Sequence, residues 1–123
     1  GYYLNLPDLD FVPGAAILTR VISHPAPGIF TTDLGYKGIA SDPAAQRGYI
    51  VGLEDAVPVV HSEEHWAFRL EDEAKIPPIG ACLYVIPTHI CPTTALYPEI
   101  LVAKDGIVTE KWEVTARNRK INY

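Results

Sequence analysis

Apolar residues in this chain fall into short alternating runs, each closed by glycine or proline, and that rhythm predicts strands. The 11 prolines and 9 glycines interrupt nearly every apolar stretch before a long helix could build. Ala15 to Ile22 is the strongest run. A strand there puts Ala16, Leu18, Arg20 and Ile22 on one face and Ala15, Ile17, Thr19 and Val21 on the other. His24-Pro25-Ala26-Pro27-Gly28 turns the chain, and Ile29 to Thr32 returns as a second strand. Tyr49–Leu53, Val57–Val60 and Ala81–Ile86 read as further strands, and Tyr2-Tyr3-Leu4 as a short edge strand. Glu99–Ala103 and Ile107–Thr115, joined by Lys104-Asp105-Gly106, make the clearest hairpin; its second strand puts Val108, Trp112 and Val114 on one face with Glu110. Helix is limited to single turns at Ser41–Arg47 and at Thr94–Tyr97, the latter stopped by Pro98. Glu71–Lys75 reads as a polar surface loop and Ala116–Lys120 as a solvated basic tail. The fold class that follows is mainly β, a compact β-barrel or sandwich with one or two short helices.

Composition narrows the function classes. At 48% hydrophobic and 20% charged, the chain has the make-up of an ordinary globular domain, and 123 residues suit a single one. A formal net charge of -5 with scattered Lys and Arg argues against nucleic acid. No apolar run reaches membrane-spanning length, and the N-terminus carries no signal-peptide pattern. Two cysteines do not make a disulfide framework, although one bridge between Cys82 and Cys91 is compatible with the count. A reduced, cytoplasmic setting is expected. The chain holds no methionine and begins abruptly at Gly1, as a piece of a longer protein would.

Candidate chemistry gathers at Pro87-Thr88-His89-Ile90-Cys91-Pro92. If the preceding strand runs on through it, His89 and Cys91 face the same way, presenting an imidazole and a thiolate. Both are good zinc ligands, and with no further Cys or His pair at zinc-finger spacing a metal there would be either under-coordinated by this chain or open to substrate. A nucleophilic Cys91–His89 pair is disfavoured, because neighbours two apart on a strand point alike and no oxyanion hole is evident. Asp33 and Lys37 admit two readings, a catalytic couple or a turn carboxylate beside a paired lysine. In His61-Ser62-Glu63-Glu64-His65-Trp66, alternation would put His61, Glu63 and His65 on one side. That stretch is either a set of carboxylate-oriented imidazoles or a solvated edge with Trp66 folded inward.

Four segments in order, Thr32-Asp33-Leu34-Gly35-Tyr36-Lys37, Ser62-Glu63-Glu64-His65, His89-Ile90-Cys91-Pro92-Thr93 and Trp112-Glu113-Val114-Thr115-Ala116-Arg117, resemble the C-terminal domain of the D-threonine aldolase / D-serine dehydratase family. The resemblance spans nearly the whole chain. It implies a fold-type III pyridoxal-phosphate enzyme, with the cofactor lysine on an N-terminal (β/α)8 barrel that this chain lacks. It also implies a divalent metal held by the β domain, His89 and Cys91 standing at the ligand positions, and a homodimeric full-length protein. Cysteine at position 91, where the aldolase branch has aspartate, resembles the dehydratase branch and makes zinc likelier than manganese. Glu64 and His65 would then be groups behind the ligands or beside the substrate. Trp66 and Asn118 depart from the pattern, which has glycine at both places; asparagine tolerates the positive φ that glycine would supply there.

What the resemblance implies is a lyase for β-hydroxy D-amino acids, such as D-serine or D-threonine. The cofactor on the barrel serves as electron sink, and the metal acts as Lewis acid on the substrate β-hydroxyl. This chain alone would be inactive. The rival expectation is a non-catalytic metal-binding or partner-docking β module, in which His89 and Cys91 are ordinary residues.

Overall fold

The computed structural model describes Leu6 and residues 8–122; the edge strand expected at Tyr2-Tyr3-Leu4 lies outside them. Six strands form one curled antiparallel sheet: β1 (Ile17–Ala26), β2 (Ile29–Thr32), β3 (Gly48–Ile50), β4 (Val57–His61), β5 (Trp66–Arg69) and β6 (Cys82–Pro87), in the order β3-β6-β1-β2-β5-β4. A separate two-stranded ribbon, β7 (Glu99–Lys104) and β8 (Ile107–Glu113), follows the short helix α1 (Ile90–Thr94). The mainly β class is as the apolar rhythm predicts. Among the described residues, no helix is long and apolar enough to cross a membrane.

The long central strand shows why the pattern works. Thr19 and Val21 are buried while Leu18 and Ile22 are exposed, so the predicted alternation holds along β1. β1 runs past the expected turn to Ala26, because its pairing with β2 slips at Ser23 and again before Ala26. Proline is tolerated at such irregular places, where no ladder bond is demanded of it. The reversal is left to Pro27 and Gly28, and Gly28 sits at φ +70.

Val21, Phe30, Ile39, Ile50, Trp66, Phe68, Leu70 and Val85 fill the inside of the curl. Phe30 and Phe68 are stacked cross-strand partners with ring centroids 5.5 Å apart, and Trp66 lies against Phe68 at 4.5 Å with the rings tilted by 42°. Burying each such side chain stabilises the fold by about 1.5–3 kcal/mol. Trp66, at 1% exposure, is thus a pillar of the core.

The β7–β8 ribbon turns at Asp105 (φ 50) and Gly106 (φ 78), two left-handed residues that suit a tight two-residue hairpin. Its strands are almost wholly exposed, Leu101, Ile107, Val108 and Trp112 included. Trp112 and Glu110 share a face as predicted, the indole Nε1 donating to Glu110 Oε2 at 2.9 Å.

Two helical expectations fail. Ser41–Arg47 forms a loop with a cis Asp42–Pro43 bond. The helix expected at Thr94–Tyr97 forms one turn earlier, at Ile90–Thr94. Pro92 falls in its first turn, where a missing N–H removes no intrahelical bond. Asn118 has φ -83, so the turn there needs no left-handed residue.

Candidate metal centre

His89 and Cys91 flank a change of backbone state. β6 ends at Pro87, His89 is still extended at φ -112 and ψ 97, and Cys91 lies inside α1. The extended segment expected to point both side chains one way is therefore absent. Both residues are exposed, and both Cys91 and Cys82 are free thiols with no bridge between them.

What orients His89 is Asp42. Its Oδ2 lies 2.5 Å from His89 Nδ1, which leaves Nε2 as the ring nitrogen with a free coordination position. A carboxylate on the far nitrogen is the usual partner of a metal-bound imidazole, fixing the tautomer and raising basicity. Sequence reasoning missed Asp42, because a lone Asp-Pro in a turn region carries no sign of a partner 47 positions away. Among the described residues, no group of three or more His, Cys, Asp or Glu side chains is placed to hold a metal ion. The donor set this chain offers is thus an imidazole with Nε2 open and a free thiol. Both fit zinc and leave positions for other ligands.

One loop ties the sequence segments together. Gly35 passes under the β4–β5 turn so closely that a Cβ there would sit 2.0 Å from Glu63 O. Tyr36 N and Lys37 N donate to the Ser62 and Glu63 carbonyls at 2.9 and 3.1 Å. Further on, Tyr97 Oη donates to Gly38 O at 2.7 Å, and Ala40 N donates to Thr93 Oγ1 at 3.1 Å. Buried Thr93 in turn donates to His89 O at 2.8 Å, so the loop grips both the side chain and the carbonyl of His89. Arg117 closes the set, its Nε donating to Ala95 O at the end of α1.

The ionisable stretch 61–66 resolves as a hairpin. β4 ends at His61, β5 starts at Trp66, and Ser62 N donates to His65 O at 2.8 Å across the Glu63-Glu64 turn. Alternation is broken there, so His61 and His65 do not share a face with Glu63. Glu64 and Glu63 both bind Lys37, at 2.7 and 2.9 Å, and hold its ammonium above the usual lysine value. Asp33 is elsewhere, accepting from Thr19 Oγ1 and Arg20 N at 2.7 Å each. Partial burial pushes its carboxyl up, and these bonds outweigh that to hold it low. Asp33 and Lys37 are therefore a turn carboxylate and a paired lysine, not a couple. His61 turns inward instead, its Nδ1 against the Arg47 guanidinium; burial, and then that charge, lower its pKa to about 4.

A family profile described as "Putative serine dehydratase domain" matches residues 14–103. The chain belongs to that family. It is 33% identical over 109 residues to a D-threonine aldolase of Arthrobacter, covering 89% of this chain and 28% of the aldolase. It is 31% identical over 115 residues to an uncharacterized protein of Mycobacterium tuberculosis, covering 91% of this chain and 86% of that one. So this family member spans little more than a quarter of one relative and most of another. In structure it resembles the D-threonine aldolase of Filomicrobium marinum, with a TM-score of 0.75 and 24% identity over 83% of this chain and 28% of that one. It also resembles D-threo-3-hydroxyaspartate dehydratase, with a TM-score of 0.66 and 27% identity over 80% of this chain and 31% of that one. The latter structure is a cysteine-to-alanine variant in the metal-free form, and a histidine-to-alanine variant, two positions earlier in that enzyme, has also been solved. The aldolases and the dehydratase are lyases, and this chain is a domain related to part of them.

Proposed function

We propose that this chain is the metal-carrying domain of a pyridoxal-phosphate-dependent lyase for β-hydroxy D-amino acids, acting by dehydration or retro-aldol cleavage. The observation that carries the reading is the Asp42–His89 pair, two positions before the free thiol of Cys91 in the chain. Support comes also from the related dehydratase, one structure of which is metal-free and carries alanine for a cysteine two positions after a histidine that was itself replaced in another, the spacing of His89 and Cys91.

His89 through Nε2 and Cys91 through its thiolate would hold a divalent metal, zinc by the softness of sulfur. Such an ion, when bound, supplies Lewis acidity at a substrate hydroxyl. The chain's own part is positional. Asp42 holds the imidazole in one tautomer, Thr93 holds the His89 backbone, and the exposure of both ligands leaves them open to substrate and to a second domain. The partner in this reading is a barrel domain of the same protein, which carries pyridoxal phosphate, with two such proteins forming a homodimer. Glu64 is engaged with Lys37 and His65 lies in the exposed turn, so neither is assigned a catalytic role.

Zinc stoichiometry tests the site. One zinc per chain, lost in both His89→Ala and Cys91→Ala, supports it; wild-type protein without zinc, or zinc retained in both variants, sinks it. A second reading, a non-catalytic docking module, draws on the mycobacterial relative of similar span and on the exposed apolar ribbon β7–β8. Turnover of D-serine or D-threonine with pyridoxal phosphate by a protein that joins this domain to its barrel, lost in His89→Ala and Cys91→Ala under the first reading and unchanged under the second, separates the two.

A further inference from the structure

Asp42 orients His89 from a loop that burial does not hold, since residues 41–45 are all exposed. Gln46 bonds within the same segment, to Pro43 O and Gly48 O. On the near side the chain is fixed at buried Ala40, whose N–H donates to Thr93 Oγ1. On the far side the tie is Arg47. Its Nε donates to Ser41 O at 3.0 Å, closing the neck of the loop one residue from Asp42. Its guanidinium also meets Nδ1 of His61, and because a guanidinium has only donors the ring nitrogen accepts. His61 is half-buried, its ring 4.7 Å from that of Trp66 in the core. Arg47 O accepts from Thr88 N at 2.9 Å, and Thr88 is the buried residue immediately before His89. One residue thus joins the core, the segment that carries His89 and the loop that carries Asp42.

We propose that Arg47 is a positioning residue for the metal centre: it pins Ser41 O to the His61 side of the core and so holds Asp42 where its carboxylate meets His89 Nδ1. A guanidinium suits this task because its donors lie in one rigid plane and serve two acceptors at once. An exposed loop without such ties opens at low free-energy cost. The assignment deepens the metal reading and rests on it for its consequence, while the contacts themselves involve no metal.

The ring of His89 reports on Arg47 in metal-free protein. At about pH 8.5, above the ordinary histidine range, nitrogen NMR of wild type should show the proton on Nδ1 and Nε2 bare. Arg47→Met should move these signals toward a mixture of tautomers, as Asp42→Ala should, and the double variant should match Asp42→Ala. A loss of stability alone does not move the ring signals of the folded protein. Wild-type ring signals in folded Arg47→Met would overturn the proposal. Wild type by itself gives a second check, independent of how the variant folds. The Arg47 Nε–H should exchange with water more slowly than that of exposed Arg119, and equal exchange would overturn the proposal too. With zinc, Arg47→Met should weaken binding by no more than the loss of about 10- to 100-fold expected on removing Asp42, and should add nothing to Asp42→Ala. Fully additive losses would mean that Arg47 does not act through Asp42. Absence of zinc from the wild type would sink the metal reading, and the ring signals would still decide the role of Arg47.

Discussion

Asp42 and His89 are 47 residues apart in sequence, and their Oδ2 and Nδ1 atoms stand 2.5 Å apart. With zinc on His89 and Cys91, as proposed, removing such a partner is expected to weaken the metal about 10- to 100-fold. Asp42→Ala should therefore lose zinc to a chromophoric chelator at a lower chelator concentration than wild type. Asp42→Asn, which can still accept from Nδ1–H, should fall between them. Equal competition curves for all three proteins would remove Asp42 from the site.

Gly35 is under the β4–β5 turn, with Glu63 O at 2.0 Å from any Cβ placed there. Gly35→Ala must push backbone against backbone, and overpacking of this kind costs about 1–3 kcal/mol. Gly14, which has nothing within 4 Å of an added Cβ, is the control. Urea unfolding should show a large loss for Gly35→Ala and little change for Gly14→Ala. Matching midpoints would contradict the close approach.

Thr93 Oγ1 accepts from Ala40 N and donates to His89 O, and the residue is 2% exposed. Thr93→Val keeps the shape and leaves two backbone groups without this partner, at about 1–3 kcal/mol for a buried group left unpaired. A lowered melting temperature is expected, along with weaker zinc binding because His89 loses its backbone anchor. Wild-type values on both counts would show that the hydroxyl is idle.

His61 is held neutral in the fold, by burial first and Arg47 second, with a pKa of about 4 against an ordinary 6.5. Above pH 6.5 the ring is neutral folded or unfolded and its contribution to stability is whole. Between pH 6.5 and 4 the unfolded chain binds a proton that the native ring refuses, so stability falls as pH falls. Below about 4 this loss levels off. Urea unfolding across that window should show a shallower pH dependence in His61→Gln than in wild type; parallel curves would place the His61 pKa near its ordinary value.

The central strand β1 was legible because alternation is local, whereas the four-residue β5 (Trp66–Arg69) was not expected. Each residue along β1 declares its face through its neighbours two away, and a half-buried sheet enforces that choice. The hairpin at Asp105-Gly106 was equally legible, since both positions need left-handed backbone. Helix placement was not, because Pro92 is compatible with an extended segment and with a first helical turn, and only packing chose the second.

By itself, the sequence determined the mainly β class, the two faces of β1, the hairpin and the segments that mark the family, all of which rest on spacings of a few residues. The tertiary structure decided the partners: Asp42 for His89, Glu63 and Glu64 for Lys37, Thr19 for Asp33, and Arg47 for His61. These contacts join residues far apart in the chain. A side chain's chemistry says what it can bind, while which group reaches it depends on loop paths fixed by the whole core.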